Sequence, residues 1–137
     1  MKLLLQCDGG SRGNPGPAAY GYVVYDLTSG AAIVLEKCGN YLGVTTNNQA
    51  EYEGLLAGLT WIYNHHPDAT VEIKMDSLLI VNQIKGLYKV KSPDLFPKYQ
   101  AVRQVIAKLP SVTIAHTYRE DNSLADSLVN EALDARA

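Results

Sequence analysis

Residues 1–26, MKLLLQCDGGSRGNPGPAAYGYVVYD, decide how the chain folds. Leu3, Leu5 and Cys7 alternate onto one face, the period of a strand, and the run stops at Asp8-Gly9-Gly10. Beyond a glycine- and proline-rich turn, Ala18 to Asp26 is dense in Tyr and Val and predicts a second strand. Thr28-Ser29-Gly30 supplies turn chemistry before a third strand from about Ala32 to Leu42. Three successive strands joined this way make an antiparallel meander.

Outward from the meander the period changes. Leu55, Leu59 and Ile62 recur at helical spacing and predict a helix from Asn47 to His65, with Pro67 just past its end. Val71 to Met75 reads as a short strand running into Asp76, followed by a helix from Leu78 to Ile84 that Gly86 can stop. Asp94 to Leu109 reads as a helix with Val102, Val105, Ile106 and Leu109 as its apolar stripe. A last strand, Val112 to Tyr118, leads into a closing helix that Asn122 is placed to cap. This order predicts an α/β fold in which helices pack on a mixed sheet.

The 137 residues suit one domain, residues 1–137, with no repeat or linker. A hydrophobic share of 47% with no long apolar tract points to a soluble protein without membrane contact. The apolar run Leu3 to Leu5 is too short for a signal peptide, and Cys7 and Cys38 are too few for a disulfide framework. A reduced, cytoplasmic setting is expected, and a monomer. The net charge of −2 argues weakly against nucleic acid, yet setting four carboxylates aside leaves 12 basic against 10 acidic residues.

Those four are Asp8 in CDGGSRGNPGPA, Glu51 in TTNNQAEYEGL, Asp76 in IKMDS and Asp126 in REDNSLADSL. Singly, each has an ordinary use. Asp8 suits an Asp-Gly turn and Asp76 a helix N-cap, while Glu51 and Asp126 complement a helix dipole. If the strands ending in Asp8 and Asp76 are parallel neighbours, however, the two carboxylates lie roughly 5 Å apart. Clustered carboxylates repel and need a cation or a proton to coexist, and oxygen ligands favour a hard ion, Mg²⁺ or Mn²⁺.

Taken in order, the four motifs resemble the ribonuclease H family, type 1, from Met1 to about Ala135, in its short forms without a basic protrusion. That resemblance implies a five-stranded mixed sheet, its first three strands antiparallel, with helices on both faces. It also implies an endonuclease that hydrolyses the RNA strand of RNA–DNA hybrids, leaving 3′-hydroxyl and 5′-phosphate ends. Asp8, Glu51, Asp76 and Asp126 would hold two Mg²⁺ ions, with Mn²⁺ able to substitute. Asp8 would bridge the ions, Glu51 and Asp76 would serve the leaving oxygen, and Asp126 the attacking water.

The same resemblance makes the glycine turn and the TNN cluster a contact surface for the hybrid. Gly9, Gly10 and Gly13 allow close backbone approach, and Ser11, Arg12 and Asn14 add donors. Thr46, Asn47, Asn48 and Gln49 lie at a helix N-terminus, where amides favour phosphate, although capping is their ordinary role. Asn82 and Gln83 are further candidates for that groove, or else a solvated helix face. Lys85, Lys89, Lys91 and Lys98 could track the DNA strand or merely solvate a loop. Trp61 is expected in the core. Double-stranded RNA is a second candidate substrate.

Two departures from the family stand out. The segment between Gln83 and Asp94 is too short for the basic protrusion of some members. The TYREDN connection also lacks the glycine-and-histidine loop of others, so Arg119 or Glu120 is the candidate to replace that histidine in product release. Competing readings are a catalytically silent hybrid-binding module, which the full set of acids disfavours, a domain that works only within a larger polymerase assembly, and a resolvase- or integrase-like nuclease, which would not be expected to carry the DGGSRGNPGPA and TTNNQAE motifs.

Overall fold

A computed structural model of the chain describes residues 1–136. Five strands form one sheet in the order β3-β2-β1-β4-β5: β1 Lys2–Ser11, β2 Gly16–Asp26, β3 Ile33–Thr45, β4 Thr70–Met75 and β5 Ser111–His116. The first three pair antiparallel, whereas β1–β4 and β4–β5 pair parallel. The helices are α1 Asn47–His65, α2 Leu78–Ile84, α3 Phe96–Lys108 and α4 Ser123–Asp134, with a 3₁₀ turn at Arg119–Asn122. None of the described helices is long and apolar enough to cross a membrane.

Strand alternation divides the core into two layers. Leu3, Leu5, Cys7, Tyr22 and Val24 point to one face, where they meet Tyr52, Leu55, Leu59 and Ile62 of α1 together with residues of α2 and α3. The intervening residues Ala19 and Val23 point to the other face, against Ala125, Leu128, Val129 and Leu133 of α4. Helices therefore cover both faces. Close approach of α4 depends on Gly21, where an added Cβ would stand 2.5 Å from the Ala125 carbonyl oxygen.

The expected elements all form, with informative differences at their ends. β1 does not stop at Asp8: it continues to Ser11, paired only with β2, because its parallel partner β4 ends at Met75. The sheet thus parts beside Asp8, where β1 has an antiparallel neighbour on one side and a parallel one on the other. A crevice at such a switch point is a general property of these sheets. The third strand runs past Leu42 to Thr45. Pro97 near its start sets α3 to begin at Phe96, and Val105 and Ile106 of its stripe are only partly buried. Trp61 is also only partly buried, its ring stacked 4.4 Å from that of His65.

Candidate active site

Asp8, Glu51, Asp76 and Asp126 border one open cleft of about 480 Å³. Register brings the first and third together, since Gln6↔Lys74 extended by two residues sets Asp8 level with Asp76. Gly9 admits the second: an added Cβ there would run into the backbone of Ala50 and Glu51, so the absent side chain is what lets β1 touch α1. Asp126 arrives from the opposite face, in the first turn of α4.

The ordinary uses of these acids are largely ruled out. Ser77, not Asp76, caps α2, its hydroxyl accepting from the Ile80 N–H at 3.4 Å. Glu51 lies past the first turn of α1, which contains no acid. Asp126 alone keeps a place where it complements a helix dipole.

The electrostatics are those of charges held without enough compensation. Asp8 is 7% exposed. Its pKa is pushed up to about 8 by burial, by the Asp76 charge and by a hydrogen bond with the Asp126 carboxyl, against the Gly9 N–H donating at 2.9 Å. Burial lifts Glu51 to about 7, with Asp76 adding to it and a hydrogen bond with Ser77 opposing it. One Glu51 carboxylate oxygen, Oε2, is buried with no hydrogen-bond partner. Asp76 is raised by burial, and Arg119 draws it back down. The Arg119 guanidinium itself sits 3.5 Å from Asp126.

Among the described residues, no three acidic, histidine or cysteine side chains are grouped tightly enough to surround a metal ion as they stand. The donor chemistry nonetheless fits a hard divalent cation: four carboxylates, one with an orphaned buried oxygen. Mutual repulsion is the physical reason for such acids to stand apart or stay protonated without a cation.

Of the expected contact residues, Gly9, Gly10, Ser11, Arg12 and Asn47 line the cleft. The Asn47 side-chain oxygen accepts from the Ser11 N–H at 2.8 Å and hydroxyl at 3.1 Å, and Asn14 accepts from the Asn47 N–H at 3.1 Å. The glycine turn and the TNN cluster are thus one hydrogen-bonded unit. Thr46 serves as the α1 cap, accepting from the Gln49 N–H at 3.3 Å. Gln49 borders a neighbouring depression with Glu53 and Lys98, and Asn48 lines neither.

Gln83 corrects the expectation. Its side chain is 4% exposed and accepts from the Tyr52 hydroxyl at 2.6 Å, so it belongs to the core rather than to a groove. Asn82 does not line the cleft either, and its carbonyl accepts from the Leu87 and Tyr88 N–H groups at the α2 end. Lys98 is engaged by Glu53 at 2.6 Å. Arg119 reaches the site, whereas the exposed Glu120 does not line it.

Six cleft residues lie outside the four acid-bearing motifs: Val129 and Leu133, which also belong to the core under α4, and His116, Thr117, Tyr118 and Asn130. Asn130 follows Asp126 by four residues, a spacing that shares a helix face, and that spacing is a signal the sequence does carry. His116, Thr117 and Tyr118 follow from where β5 ends beside β4, which composition does not reveal.

A family model described as reverse transcriptase-like matches residues 6–132 of the chain. A bifunctional protein of Mycobacterium tuberculosis is 41% identical over 137 residues, which is all of this chain and 37% of that protein. The chain therefore spans little more than a third of that relative. The crystal structure of RNase H1 from Halobacterium salinarum superposes with a TM-score of 0.92 at 37% identity, covering 98% of this chain and 99% of that one. LC11-RNase H1, solved in complex with an RNA/DNA hybrid, gives 0.90 at 41% identity, covering 98% of each.

Proposed function

The chain belongs to the type 1 ribonuclease H family, and on that premise we propose that it is an endonuclease hydrolysing the RNA strand of RNA–DNA hybrids. The observation that carries this reading is the buried, unpartnered Glu51 Oε2 in a cleft shared with Asp8, Asp76 and Asp126. Such an arrangement is costly for folding and is explained by a bound cation. These acids would hold two divalent ions, Mg²⁺ with Mn²⁺ able to substitute, which would supply charge neutralisation at the phosphate and activation of the attacking water.

The chain's own residues divide the remaining work. Asp8, the least exposed of the four and influenced by Asp76, Asp126 and Glu51 together, would be shared between the two groups of ligands. Glu51 and Asp76 serve the leaving side, and Asp126, on α4, serves the side from which water attacks. Cleavage in this sense leaves 3′-hydroxyl and 5′-phosphate ends. Ser11 and Asn47, locked to each other, present hydroxyl and amide to the hybrid, and Gly10 keeps room for its backbone. Only a 2′-hydroxyl marks a strand as RNA at a given site, so these short polar groups are the specificity contacts. Arg119, beside Asp126 and 77% exposed, is placed to accompany the departing phosphate. All four acids come from one chain, which supports a monomer as the working unit.

The test is incubation with end-labelled RNA–DNA hybrid, double-stranded RNA and double-stranded DNA, with Mg²⁺, Mn²⁺ or chelator. Loss of the RNA strand of the hybrid in metal alone, with 5′-phosphate on the downstream product, is the expected result. Tight hybrid binding with no cleavage would make the protein a silent binding module instead.

A further inference from the structure

Asn122 is wholly buried and spends its side chain in an unexpected place. It occupies the N-cap position of α4, yet makes no capping hydrogen bond. Its Nδ2 instead donates to the carbonyl of Cys7 at 3.0 Å, across 115 residues of sequence. Its Oδ1 is buried with no partner. A buried polar atom left unpaired and a helix end left uncapped both cost stability. Residues kept against local preference point to a functional demand.

The geometry indicates that demand. Cys7 immediately precedes Asp8, and Asn122 lies one helical turn before Asp126. Beside this contact a second bond runs the other way: Gln6 Nε2 donates to the Asp121 carbonyl at 3.1 Å. Each segment therefore gives one side-chain donor to the other's backbone, across the place where the sheet parts.

We infer that Asn122 and Gln6 form a reciprocal clasp that fixes the start of α4 against β1, so that the Asp126 carboxylate is delivered to Asp8; both are positioning residues and neither touches substrate. This rests on the proposed function for the role of the two carboxylates. The simpler alternative is that Asn122 is an ordinary cap. Ser and Asp cap as well as Asn does, but Asp offers no N–H and Ser is too short to reach the Cys7 carbonyl.

The decisive variants are therefore Asn122→Ser and Asn122→Asp, with Gln6→Leu as a second arm at a partly exposed position. Each is assayed for cooperative unfolding, for hybrid cleavage and, without substrate, for Mg²⁺ binding by titration calorimetry. The clasp predicts folded variants whose kcat falls about 10–100-fold with KM within about twofold, the range typical of supporting residues around a metal. Mg²⁺ binding weakens in parallel, and Gln6→Leu shows a smaller loss of the same kind. Wild-type kcat and Mg²⁺ affinity in Asn122→Ser would overturn the clasp. Should the Asn122 variants fail to fold, unchanged Mg²⁺ affinity in Gln6→Leu overturns it and weakened affinity supports it. Failure of the wild-type protein to cleave hybrid refutes the proposed function instead, while the calorimetric comparison still decides the clasp.

Discussion

Asp8 and Glu51 make the folded protein sensitive to pH in a direction opposite to the usual carboxylate. In the unfolded chain both ionise near pH 4 or so, whereas the fold holds their protons until about 8 and 7. Between those limits the native state binds more protons than the unfolded state, so the unfolding free energy falls as pH rises. Their contribution is most favourable below the unfolded pKa and is lost as pH climbs through the folded values. Thermal melts in chelator from pH 4.5 to 8.5 are expected to show a falling Tm, flattened in Asp8→Asn and restored near pH 8 by Mg²⁺. A wild-type Tm independent of pH would contradict the account. At this scale the four acids are legible from their motifs. The orphaned Glu51 oxygen is not, because a carboxylate's partners depend on residues distant in sequence. Gln83 misleads for the same reason: only the packing of α2 on α1 shows that its amide is paired with Tyr52. Removing that hydroxyl in Tyr52→Phe strands the amide oxygen and is expected to cost about 1–3 kcal/mol in denaturant unfolding. An unchanged unfolding free energy would mean the pair contributes nothing.

At the scale of elements, sequence locates the strands and helices but not the reason the site opens where it does. Alternation and turn chemistry identify β1, β2 and β4, and helical spacing identifies α1 and α3. The length of β1 beyond Asp8 is hidden because two glycines read as a stop, whereas β2 carries the pairing on to Ser11↔Ala18. What ends there is β4, and that is a fact about a neighbouring strand. Gly9 reads in sequence as room for a ligand, but it is room for α1. Gly9→Ala would force β1 and α1 apart and is expected to destabilise by about 1–3 kcal/mol or more, as overpacking does. Cleavage should fall alongside, through Glu51. A Gly9→Ala protein with wild-type stability and rate would show that the close approach is not a constraint. Asn122, at the end of the 3₁₀ turn before α4, reads as a cap because capping is what Asn does there when nothing else claims it.

Across the whole molecule, the balance of charge bears on how the proposed hybrid substrate would be held. The chain has net charge −2, no further helix forms between α2 and α3 among the described residues, and Lys98 is already paired with Glu53. Lys85, Lys89 and Lys91 remain exposed in the segment between α2 and α3. If they meet phosphates, replacing all three by Gln should weaken hybrid binding and lower the slope of log affinity against log salt by about 0.9 for each phosphate no longer neutralised. An unchanged slope would make them solvating residues only. Loop charge is the feature least legible in sequence, since a lysine's role depends on what the fold sets opposite it. The proposed function requires four carboxylates from β1, α1, the end of β4 and α4 to act together as one hydrolytic centre. The single-turnover rate of hybrid cleavage by Asp8→Asn, Glu51→Gln, Asp76→Asn and Asp126→Asn, with binding measured in parallel, tests this. Each is predicted to lose more than the ~100-fold typical of a supporting residue while still binding hybrid; wild-type cleavage by Asp8→Asn or Asp76→Asn would contradict the account.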